Sequence, residues 1–308
     1  MRGLFSNDMS DSGLFIERLA IIGVGLIGGS LARALRQANT VGEVVGSGRN
    51  AEHLQRAQTL GVIDRWDTDV AAAVAGADVV VLAAPVSAME ELFRAIGPAL
   101  KTGVIVTDVG STKRSVLEAA RVAYGHIPGN FVAGHPIAGT ERTGVDASFS
   151  QLFRQRRVIL TPTAETLPAA IATVKALWQT AGAQVSEMDA DRHDEILAAT
   201  SHLPHVLAFA LVDHLAALDD RHEIFAFAAG GFRDFTRIAS SSPEMWCDIA
   251  CANREALTTA LDGYLQDLVL LRDAIGNNDS AAILAVFRRA KQARDRLIDL
   301  AGPAVNPA

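Results

Sequence analysis

The chain has 308 residues, of which 49% are hydrophobic and 20% are charged, and a globular chain of this length is expected to form about two domains. Its formal charge of −7 gives no broad basic surface for nucleic acid, so an anionic ligand must be held by a few local cations. The longest apolar run, residues 77–86, is shorter than the roughly 18 residues of a membrane span. Residues 1–17 contain no continuous apolar stretch of the kind found in secretory signals. We therefore expect a cytoplasmic protein that binds neither nucleic acid nor a membrane.

The first part of the chain reads as an α/β domain. Residues 1–17 are predicted to be a flexible tail, and residues 18–188 alternate short β-branched runs with helical patterns, which is typical of a parallel sheet covered by helices. The predicted strands span residues 19–22, 44–47, 79–83, 104–107, 131–134, 158–161 and 184–187. The predicted helices include residues 28–37, 51–59, 87–96 and 167–180.

After Met188 the strand signals end, and residues 189–308 are predicted to form a second, all-α domain. A first helix is expected from Asp189 to about Leu218, with a bend at Pro204, which lacks a backbone donor. A second helix is expected over residues 243–275 and a third over residues 280–300.

The second of these helices carries an apolar stripe with the spacing of a coiled-coil seam, formed by Leu257, Leu261, Tyr264, Leu268, Leu271 and Ile275. The stripe could pack within the chain or against a second copy. We favour a homodimer through the C-terminal helices, because a small helical domain rarely buries such a stripe alone. Cys247 and Cys251 lie four residues apart in the same helix, and we expect them to be buried apolar thiols.

A glycine-rich turn, Gly-Val-Gly-Leu-Ile-Gly, joins the first predicted strand to the first helix. In this setting the first glycine permits the tight turn, the second lets a pyrophosphate approach the backbone, and the third allows close helix packing. The turn predicts a Rossmann-type dinucleotide-binding domain. The candidate cofactor contacts are Gly23, Gly25, Leu26, Ile27 and Gly28, together with Ala84 and Pro85 after a later strand.

The end of the second strand bears on the choice of cofactor. An acidic residue usually binds the adenosine ribose there, but this chain has Ser47, Gly48 and Arg49. Arg49 with Ser47 could hold a 2′-phosphate through charge-assisted hydrogen bonds. We therefore predict a preference for NADP, with NAD possible. In the alternative, Arg49 points into solvent and NAD binds through the remaining contacts.

Two segments carry polar residues at predicted strand ends, where open α/β sheets place their ligands. One runs from Asp108 through Ser111, Thr112 and Lys113, and the other is residues 134–141, Gly-His-Pro-Ile-Ala-Gly-Thr-Glu. Because its pKa lies near neutral pH, His135 is a candidate general base, although a single histidine is as often structural. Thr112 and Lys113 could line a nicotinamide pocket or cap the following helix.

Three later segments carry further polar and charged residues. The first is Asp194 with the run Ser-His-Leu-Pro-His at 201–205. The other two are Gly-Gly-Phe-Arg-Asp-Phe-Thr-Arg-Ile-Ala at 230–239 and Ser-Ser-Ser-Pro-Glu-Met-Trp at 240–246. With the glycine turn and residues 134–141, these stretches resemble the prephenate/arogenate (cyclohexadienyl) dehydrogenase family. The resemblance runs from the glycine turn to about Arg254, and its pieces occur in the family's order. The departure at Gly48 and Arg49 concerns the choice of cofactor.

The resemblance implies oxidative decarboxylation of prephenate, arogenate or both, with hydride transfer to NAD(P), in tyrosine biosynthesis. It implies that His135 accepts the hydrogen bond of the ring 4-hydroxyl, while Ser111 orients His135 and touches that hydroxyl. Arg237 is expected to hold the ring carboxylate and His205 to meet the substrate side chain. Glu141 is expected to close or polarise the entrance.

Other polar residues in these segments have simpler interpretations. His202 could satisfy a helix end or the domain junction, and Arg233 could pair with Asp234 or Asp194 in a surface or hinge salt bridge. His193 and His222 are expected to be solvated. We predict no metal site, because carboxylates and thiols at ligand spacing are missing beside the candidate histidines.

Two rival functions remain at this point. A β-hydroxyacid-type dehydrogenase would share the dinucleotide domain, but it relies on a lysine base in the helical domain, and residues 189–243 contain no lysine. A non-catalytic NADP-sensing protein would be expected to lack the proton acceptor or the carboxylate anchor. His135, His205 and Arg237 are all present.

Overall fold

The computed structural model describes residues 13–140 and 142–301, with side chains described as far as residue 296. Backbone contacts divide the chain into two units, with the boundary between Arg254 and Glu255. Within the first unit, the last described strand ends at Glu187, and the described elements after it are helices. The domain boundary at 188 therefore coincides with a change of secondary structure, and it stays a prediction as a boundary between domains.

The described strands are β1 (Ile16–Ile22), β2 (Val41–Ser47), β3 (Arg65–Asp67), β4 (Val79–Leu82), β5 (Ile105–Asp108), β6 (Phe131–Val132), β7 (Gly134–Pro136), β8 (Arg157–Leu160) and β9 (Gln184–Glu187). The first six form a parallel sheet in the order β3-β2-β1-β4-β5-β6. This is the Rossmann order, so the predicted fold class is confirmed. A second sheet has the order β7-β8-β9, with β7 antiparallel to β8.

The described α-helices of the first unit are α1 (Leu26–Gln37), α2 (Ala51–Thr59), α3 (Val70–Val74), α4 (Met89–Ile96), α5 (Arg114–Tyr124), α6 (Pro168–Thr180), α7 (Ala190–Leu197), α8 (Leu203–Ala216), α9 (Arg221–Ala226), α10 (Gly230–Thr236) and α11 (Pro243–Ala252). The helix α12 (Arg254–Gly276) begins at the boundary and is followed by α13 (Ser280–Ala301).

The parallel sheet is buried on both faces, as expected when helices cover both sides of it. Along β1, Leu19 and Ile21 enter one apolar core while Ala20 and Ile22 enter the other. The alternation follows from the two-residue repeat of a strand. It fixes the sheet between two helical layers, with the carboxyl ends of its strands free to form a site.

The predicted strand 131–134 is in fact two strands in different sheets. β6 ends at Val132, and β7 begins at Gly134 and pairs with β8. The chain therefore changes sheet just before His135. The short strand β3 was not predicted, because its three residues are too few for a recognisable alternation.

The predicted helix from Asp189 through Pro204 is continuous but not uniformly α-helical. Residues Ala198–His202 form a π-helical turn between α7 and α8, in which the Leu203 backbone N–H bonds to the Ala198 carbonyl. Proline clashes with the carbonyl of the residue four positions earlier, and a π turn accommodates this without breaking the helix. The bend expected at Pro204 thus takes the form of a wider turn immediately before it.

The whole run Ala190–Ala216 is long and apolar enough to cross a membrane by length and composition, with a mean hydropathy of 1.4 over its best window. Its apolar residues are interrupted, so a search for continuous apolar runs does not find it. His193 and Asp194 in its first turns are buried against the sheet domain. The absence of a membrane partner stays a prediction.

The predicted helix 243–275 is wrong in one respect, because it is interrupted at Asn253. This residue ends α11, and its amide group donates hydrogen bonds to the Asp194 carbonyl and to His202 Nδ1. A long-range polar contact therefore outweighs the local helical pattern. Cys247 and Cys251 on α11 are exposed and not disulfide-bonded, which corrects the expectation of buried thiols.

The second unit contains most of α12 and the described part of α13. Large apolar side chains along both helices are exposed in the single chain, among them Tyr264, Leu265, Leu268, Val269, Leu270, Ile275, Leu284 and Phe287. The predicted stripe on α12 is thus present, and much of it is not covered by the described chain.

Candidate active site

The carboxyl ends of neighbouring strands form one continuous edge of the large sheet. The Ala83 backbone N–H donates to the Ile22 carbonyl over 2.7 Å, and the Val109 N–H donates to the Leu82 carbonyl over 3.1 Å. These bonds join the residues just after β1, β4 and β5. The glycine turn, the Ala84 segment and the segment around Ser111 therefore lie side by side.

The glycine turn fits a dinucleotide pyrophosphate. Gly23 has φ of +100°, and a Cβ there would come within 2.1 Å of the Ala83 carbonyl oxygen. A Cβ on Gly28 would lie 2.4 Å from the Gly23 oxygen, so both positions require glycine. No described atom lies within 4 Å of the corresponding position at Gly25. This open space lies at the start of α1, whose first backbone N–H groups receive no side-chain cap.

The other predicted cofactor contacts flank this turn. Leu26 and Ile27 form the first turn of α1 and are half-buried, as is Ala84, whereas Pro85 is exposed. A dinucleotide at the glycine turn would be held by these backbone groups.

The end of β2 differs from the prediction at one residue. Arg49 is exposed, as binding a phosphate requires. Ser47 is completely buried, and its hydroxyl has no hydrogen-bond partner among the described residues. Its side chain is therefore turned away from solvent, and a direct contact between Ser47 and a 2′-phosphate would require it to move.

A buried ion pair supports the backbone beneath His135. The Lys113 ammonium donates to Asp108 Oδ2 and, over 2.6 Å, to the Gly134 carbonyl, and both charged side chains have no exposed surface. Asp108 also accepts the Gly134 and Gly110 backbone N–H groups. Burial lowers the pKa of Lys113, with the Asp108 carboxylate opposing this effect. Lys113 thus neither lines a pocket nor caps α5 with its side chain. Instead it binds the Gly134 carbonyl, while its partner Asp108 accepts the Gly134 N–H.

His135 takes part in a buried row of hydrogen bonds with two residues of α7. Its Nδ1 lies 2.9 Å from His193 Nε2, and His193 Nδ1 lies 2.8 Å from Asp194 Oδ1. His135 is 9% exposed, His193 0% and Asp194 1%. The expectation that His193 is solvated is therefore wrong, since it is the described hydrogen-bond partner of the candidate base.

Asp194 also connects α7 to α5. Its carboxylate accepts the Lys113 backbone N–H over 2.8 Å and the Arg114 N–H over 3.0 Å, at the first turn of α5. Although burial raises the pKa of this carboxyl, the hydrogen bonds from His193 and from the two backbone groups bring it below its ordinary value. Asp194 is thus engaged inside the protein, and the suggested surface pairing with Arg233 is wrong.

His205 and Trp246 form a stacked pair beside this row. The ring centroids lie 3.5 Å apart with an interplanar angle of 19°. His205 Nδ1 donates to the Ser201 carbonyl over 2.8 Å, so the neutral ring has its lone pair on Nε2. Burial lowers the pKa of His205, against the raising effect of that hydrogen bond. His205 is therefore a neutral acceptor with a fixed ring plane.

His202 has a structural role, as one of the two interpretations of this residue predicted, because it bonds to Asn253 at the end of α11. Asn253 donates to its Nδ1 over 3.1 Å, so the neutral ring carries its proton on Nε2. This Nε2 is buried and has no partner among the described residues. Burial lowers the pKa of His202 to about 4.

Three further predicted site residues are Ser111, Arg237 and Glu141. Ser111 is half-buried in the turn after β5, and the hydrogen bond that orients His135 comes from His193, not from Ser111. Arg237 is exposed and begins a short 3-10 helix, Arg237–Ser240, that packs against α8, the helix of His205. Glu141 lies outside the described residues.

Sequence reasoning missed the roles of His193, Trp246 and Asn253. One signal was available for His193, which is four residues before the apolar Leu197 and therefore shares its inward face. The hydrogen bond between His193 and His135 joins residues 58 positions apart, so no local sequence pattern indicates it. Among residues 13–140 and 142–301, no group of three or more potential ligand side chains is arranged to hold a metal ion.

Comparisons with known proteins identify the family of the chain. The family model described as "Prephenate dehydrogenase, nucleotide-binding domain" matches residues 31–187, and "Prephenate dehydrogenase, dimerization domain" matches residues 189–289. A curated cyclohexadienyl dehydrogenase of Zymomonas mobilis is 40% identical over 282 residues, which cover 90% of this chain and 95% of that protein.

Two solved structures are similar over nearly their full length. Prephenate dehydrogenase from A. aeolicus in complex with hydroxyphenyl propionate and NAD+ has a TM-score of 0.86 at 35% identity, covering 92% of this chain and 99% of that one. Synechocystis arogenate dehydrogenase has a TM-score of 0.76 at 28% identity, covering 91% and 100%. With both family models matched in order, the chain belongs to the prephenate dehydrogenase family of NAD(P)-dependent oxidoreductases.

Proposed function

We propose that this enzyme oxidises and decarboxylates prephenate, arogenate or both, forming 4-hydroxyphenylpyruvate, tyrosine or both. His135 carries the proposal, because the bonds of Asp108 and Lys113 to Gly134 hold it beside the carboxyl end of β5, and because its Nδ1 is engaged by His193. The opposite nitrogen, Nε2, is then the one available to substrate. A nicotinamide cofactor bound at the glycine turn supplies the hydride acceptor.

The protein's part in this reaction is to bind, to orient and to accept a proton. His135 Nε2 takes up the 4-hydroxyl proton as the hydride leaves the same ring carbon, which leaves a carbonyl at that carbon. The ring carboxylate then departs as carbon dioxide, its bonding electrons complete the aromatic ring, and the resulting phenolate oxygen takes the proton back from His135. Burial holds the pKa of His135 well below 6.5, together with the repulsion that the Lys113 ammonium exerts and that His193 and His202 would exert if protonated. His135 is therefore unprotonated at neutral pH, as a proton acceptor must be.

The remaining site residues have roles in substrate binding under this proposal. The exposed Arg237 guanidinium would hold the ring carboxylate in a bidentate ion pair. His205 would present Nε2 to the substrate side chain, where prephenate has a keto group and arogenate an amino group. Ser111 would contact the 4-hydroxyl, and Glu141 would act at the entrance.

The first test is direct. Purified enzyme is given prephenate or arogenate, each with NAD or NADP, and formation of the reduced cofactor is followed by absorbance. Turnover in any of the four combinations supports the proposal and identifies substrate and cofactor. No turnover with either substrate would contradict it. With the family shown, neither the β-hydroxyacid-type dehydrogenase nor the non-catalytic sensor has an observation in its favour.

The preference for NADP is a finer part of the proposal. It is supported by the missing carboxylate at the end of β2 and by the exposed Arg49. Arg49→Ala is expected to lower kcat/KM with NADP by about 10-fold, the loss of one charge-assisted hydrogen bond, and to leave NAD use nearly unchanged. Arg121→Ala, which removes another exposed arginine, is the matched control. An unchanged ratio of NADP to NAD use in the Arg49 variant would contradict this part.

A homodimer through the C-terminal helices is also part of the proposal. The exposed apolar side chains of α12, including Leu268, support it, as does the run Ala190–Ala216, of whose most apolar window only 22% is buried in the single chain. Leu268→Glu is expected to shift sedimentation towards the monomer. Gln266→Glu adds the same charge on the opposite side of α12 and is expected to remain dimeric. Equal sedimentation of the two variants would argue against this interface.

We further propose a cytoplasmic location. Cys247 and Cys251 are unpaired and exposed, as is typical of proteins in a reducing compartment. Separating a cell lysate into fractions and assaying each for the activity tests this. Activity confined to a membrane or secreted fraction would contradict it.

A further inference from the structure

We propose that Asp194 and His193 are positioning residues that hold His135 in the one tautomer able to accept the substrate proton. This inference rests on the proposed role of His135 as the base and adds a device that sets the state of that base. It starts from the buried row in which Asp194 Oδ1, both nitrogens of His193 and His135 Nδ1 follow one another at 2.8 and 2.9 Å.

The position of each proton in this row can be assigned in order, starting from the Asp194 carboxylate. Asp194 accepts hydrogen bonds from the backbone N–H groups of Lys113 and Arg114, so it acts as an ionised acceptor. His193 Nδ1 must then carry a proton and donate it to Asp194. In the proposed arrangement His193 is neutral, with its lone pair on Nε2, and His135 Nδ1 donates to it. His135 Nε2 is left unprotonated, as a base requires.

Burial disfavours any other arrangement of these protons. His193 has no exposed surface and Asp194 has 1%, so water is poorly placed to replace a missing partner. The opposite His135 tautomer would place two lone pairs against each other between Nδ1 and His193 Nε2. It would also leave Nε2–H facing the substrate, where it could donate a hydrogen bond but accept no proton.

Asp194 also acts through its charge. When His135 takes up the substrate proton, its ring becomes cationic in a buried place already occupied by the Lys113 ammonium. The carboxylate of Asp194, two hydrogen bonds away, favours the cationic ring. Lys113, which is paired with Asp108, and His202 are further titratable groups that lower the pKa of His135. Among the described residues, Asp194 is the anion joined to His135 through the hydrogen-bonded row.

The row also joins two segments that are distant in sequence. Asp194 lies at the amino end of the helical region and bonds to the backbone at the start of α5, which follows β5. His135 comes from β7, supported by Lys113 through Gly134. The tautomer of the base therefore depends on the helical region being correctly placed on the sheet domain.

The decisive variants replace His193. Phenylalanine fills the same space without an acceptor, whereas glutamine can place a side-chain oxygen near the former Nε2 and accept from His135 Nδ1. His193→Phe is expected to lower kcat about 10- to 100-fold, the loss of one hydrogen bond to a charged ring, with KM changed less than about two-fold. His193→Gln is expected to recover most of that loss. Equal activity of the two variants would overturn the inference.

A third variant tests the charge. In Asp194→Asn the buried anion is gone, so the pKa of His135 is expected to fall further. The acid limb of the kcat/KM profile then moves to lower pH while kcat falls. The loss of backbone contacts at α5 alone would lower activity without moving that limb. An acid limb at the wild-type pH would contradict the role of the charge.

Nuclear magnetic resonance gives a reading that is independent of turnover. With histidine labelled by nitrogen-15, long-range correlations show which nitrogen of each neutral ring carries the proton, and the His135→Asn spectrum identifies the His135 signals. We expect protonated Nδ1 and unprotonated Nε2 in the wild type, and a mixture of tautomers in His193→Phe. A protonated Nε2 in the wild type would overturn the inference. If His135→Asn remained active, the proposed base would fail whatever the tautomer.

Discussion

The burial of an unprotonated His202 is expected to make the protein less stable in mild acid. The ring is 1% exposed, and its Nδ1 faces the amide donor of Asn253, so a second ring proton would meet a donor instead of an acceptor. An unfolded histidine titrates near 6.5, whereas burial lowers the pKa of the folded His202 to about 4. Between these values the unfolded chain binds more protons than the folded one, so stability falls as pH falls. At about 1.4 kcal/mol for each pH unit, the loss amounts to about 3 kcal/mol.

The loss is measured by urea denaturation at a series of pH values from about 7 to 4, followed by fluorescence of the tryptophans, one of which, Trp246, contacts the His202 ring. His202→Gln removes the titrating group, so its free energy of unfolding should fall about 3 kcal/mol less than that of the wild type over this range. His222→Gln removes an exposed histidine and should follow the wild type. If His202→Gln and the wild type lost the same stability, the assigned burial and hydrogen bonding of His202 would be wrong.

Two further predictions concern the sheet edge. Lys113→Met leaves the buried Asp108 carboxylate without its cation and should lower the free energy of unfolding by about 3–5 kcal/mol. Lys101→Met, at an exposed ion pair, should lower it by less than about 1 kcal/mol in the same denaturation experiment. Similar losses in the two variants would contradict the assigned burial of Lys113. Gly28→Ala places a Cβ 2.4 Å from a backbone oxygen and should weaken dinucleotide binding in calorimetric titration, whereas Gly48→Ala meets only an ordinary contact at 3.7 Å and should not. Equal affinities would show that the turn tolerates a side chain.

The parts of the fold that could be predicted are those with a local cause. The glycine turn is recognisable because Gly23 must adopt a left-handed conformation and Gly28 must allow close packing, and both demands appear in the sequence. The buried strands appear as β-branched runs for a similarly local reason. The start of the helical region could likewise be placed near Asp189, whose side chain caps α7.

The parts that could not be predicted depend on contacts between distant residues. Lys113 follows a strand and precedes a helix, so its sequence position suggests a cap or a pocket, but its ammonium is committed to Asp108 and the Gly134 carbonyl. Asn253 lies inside a helical pattern and ends the helix because it bonds to α7 and to His202.

The same limit applies to the candidate site. Family resemblance predicts His135 as the base, yet the residue proposed to set its protonation, His193, comes from a different segment of the chain. We therefore expect the buried hydrogen bonds around His135, more than residues 134–141 themselves, to set its tautomer.

The measurement that tests the central claim most directly is the turnover of His135→Asn with prephenate or arogenate, whichever the wild type oxidises, at saturating cofactor. Loss of the general base should lower kcat by about 10²–10⁴-fold while substrate still binds, and the exposed-histidine variant His126→Asn should behave as the wild type. A His135→Asn enzyme that turned over within a few-fold of the wild type would contradict the account, because the proton of the 4-hydroxyl would then have another acceptor.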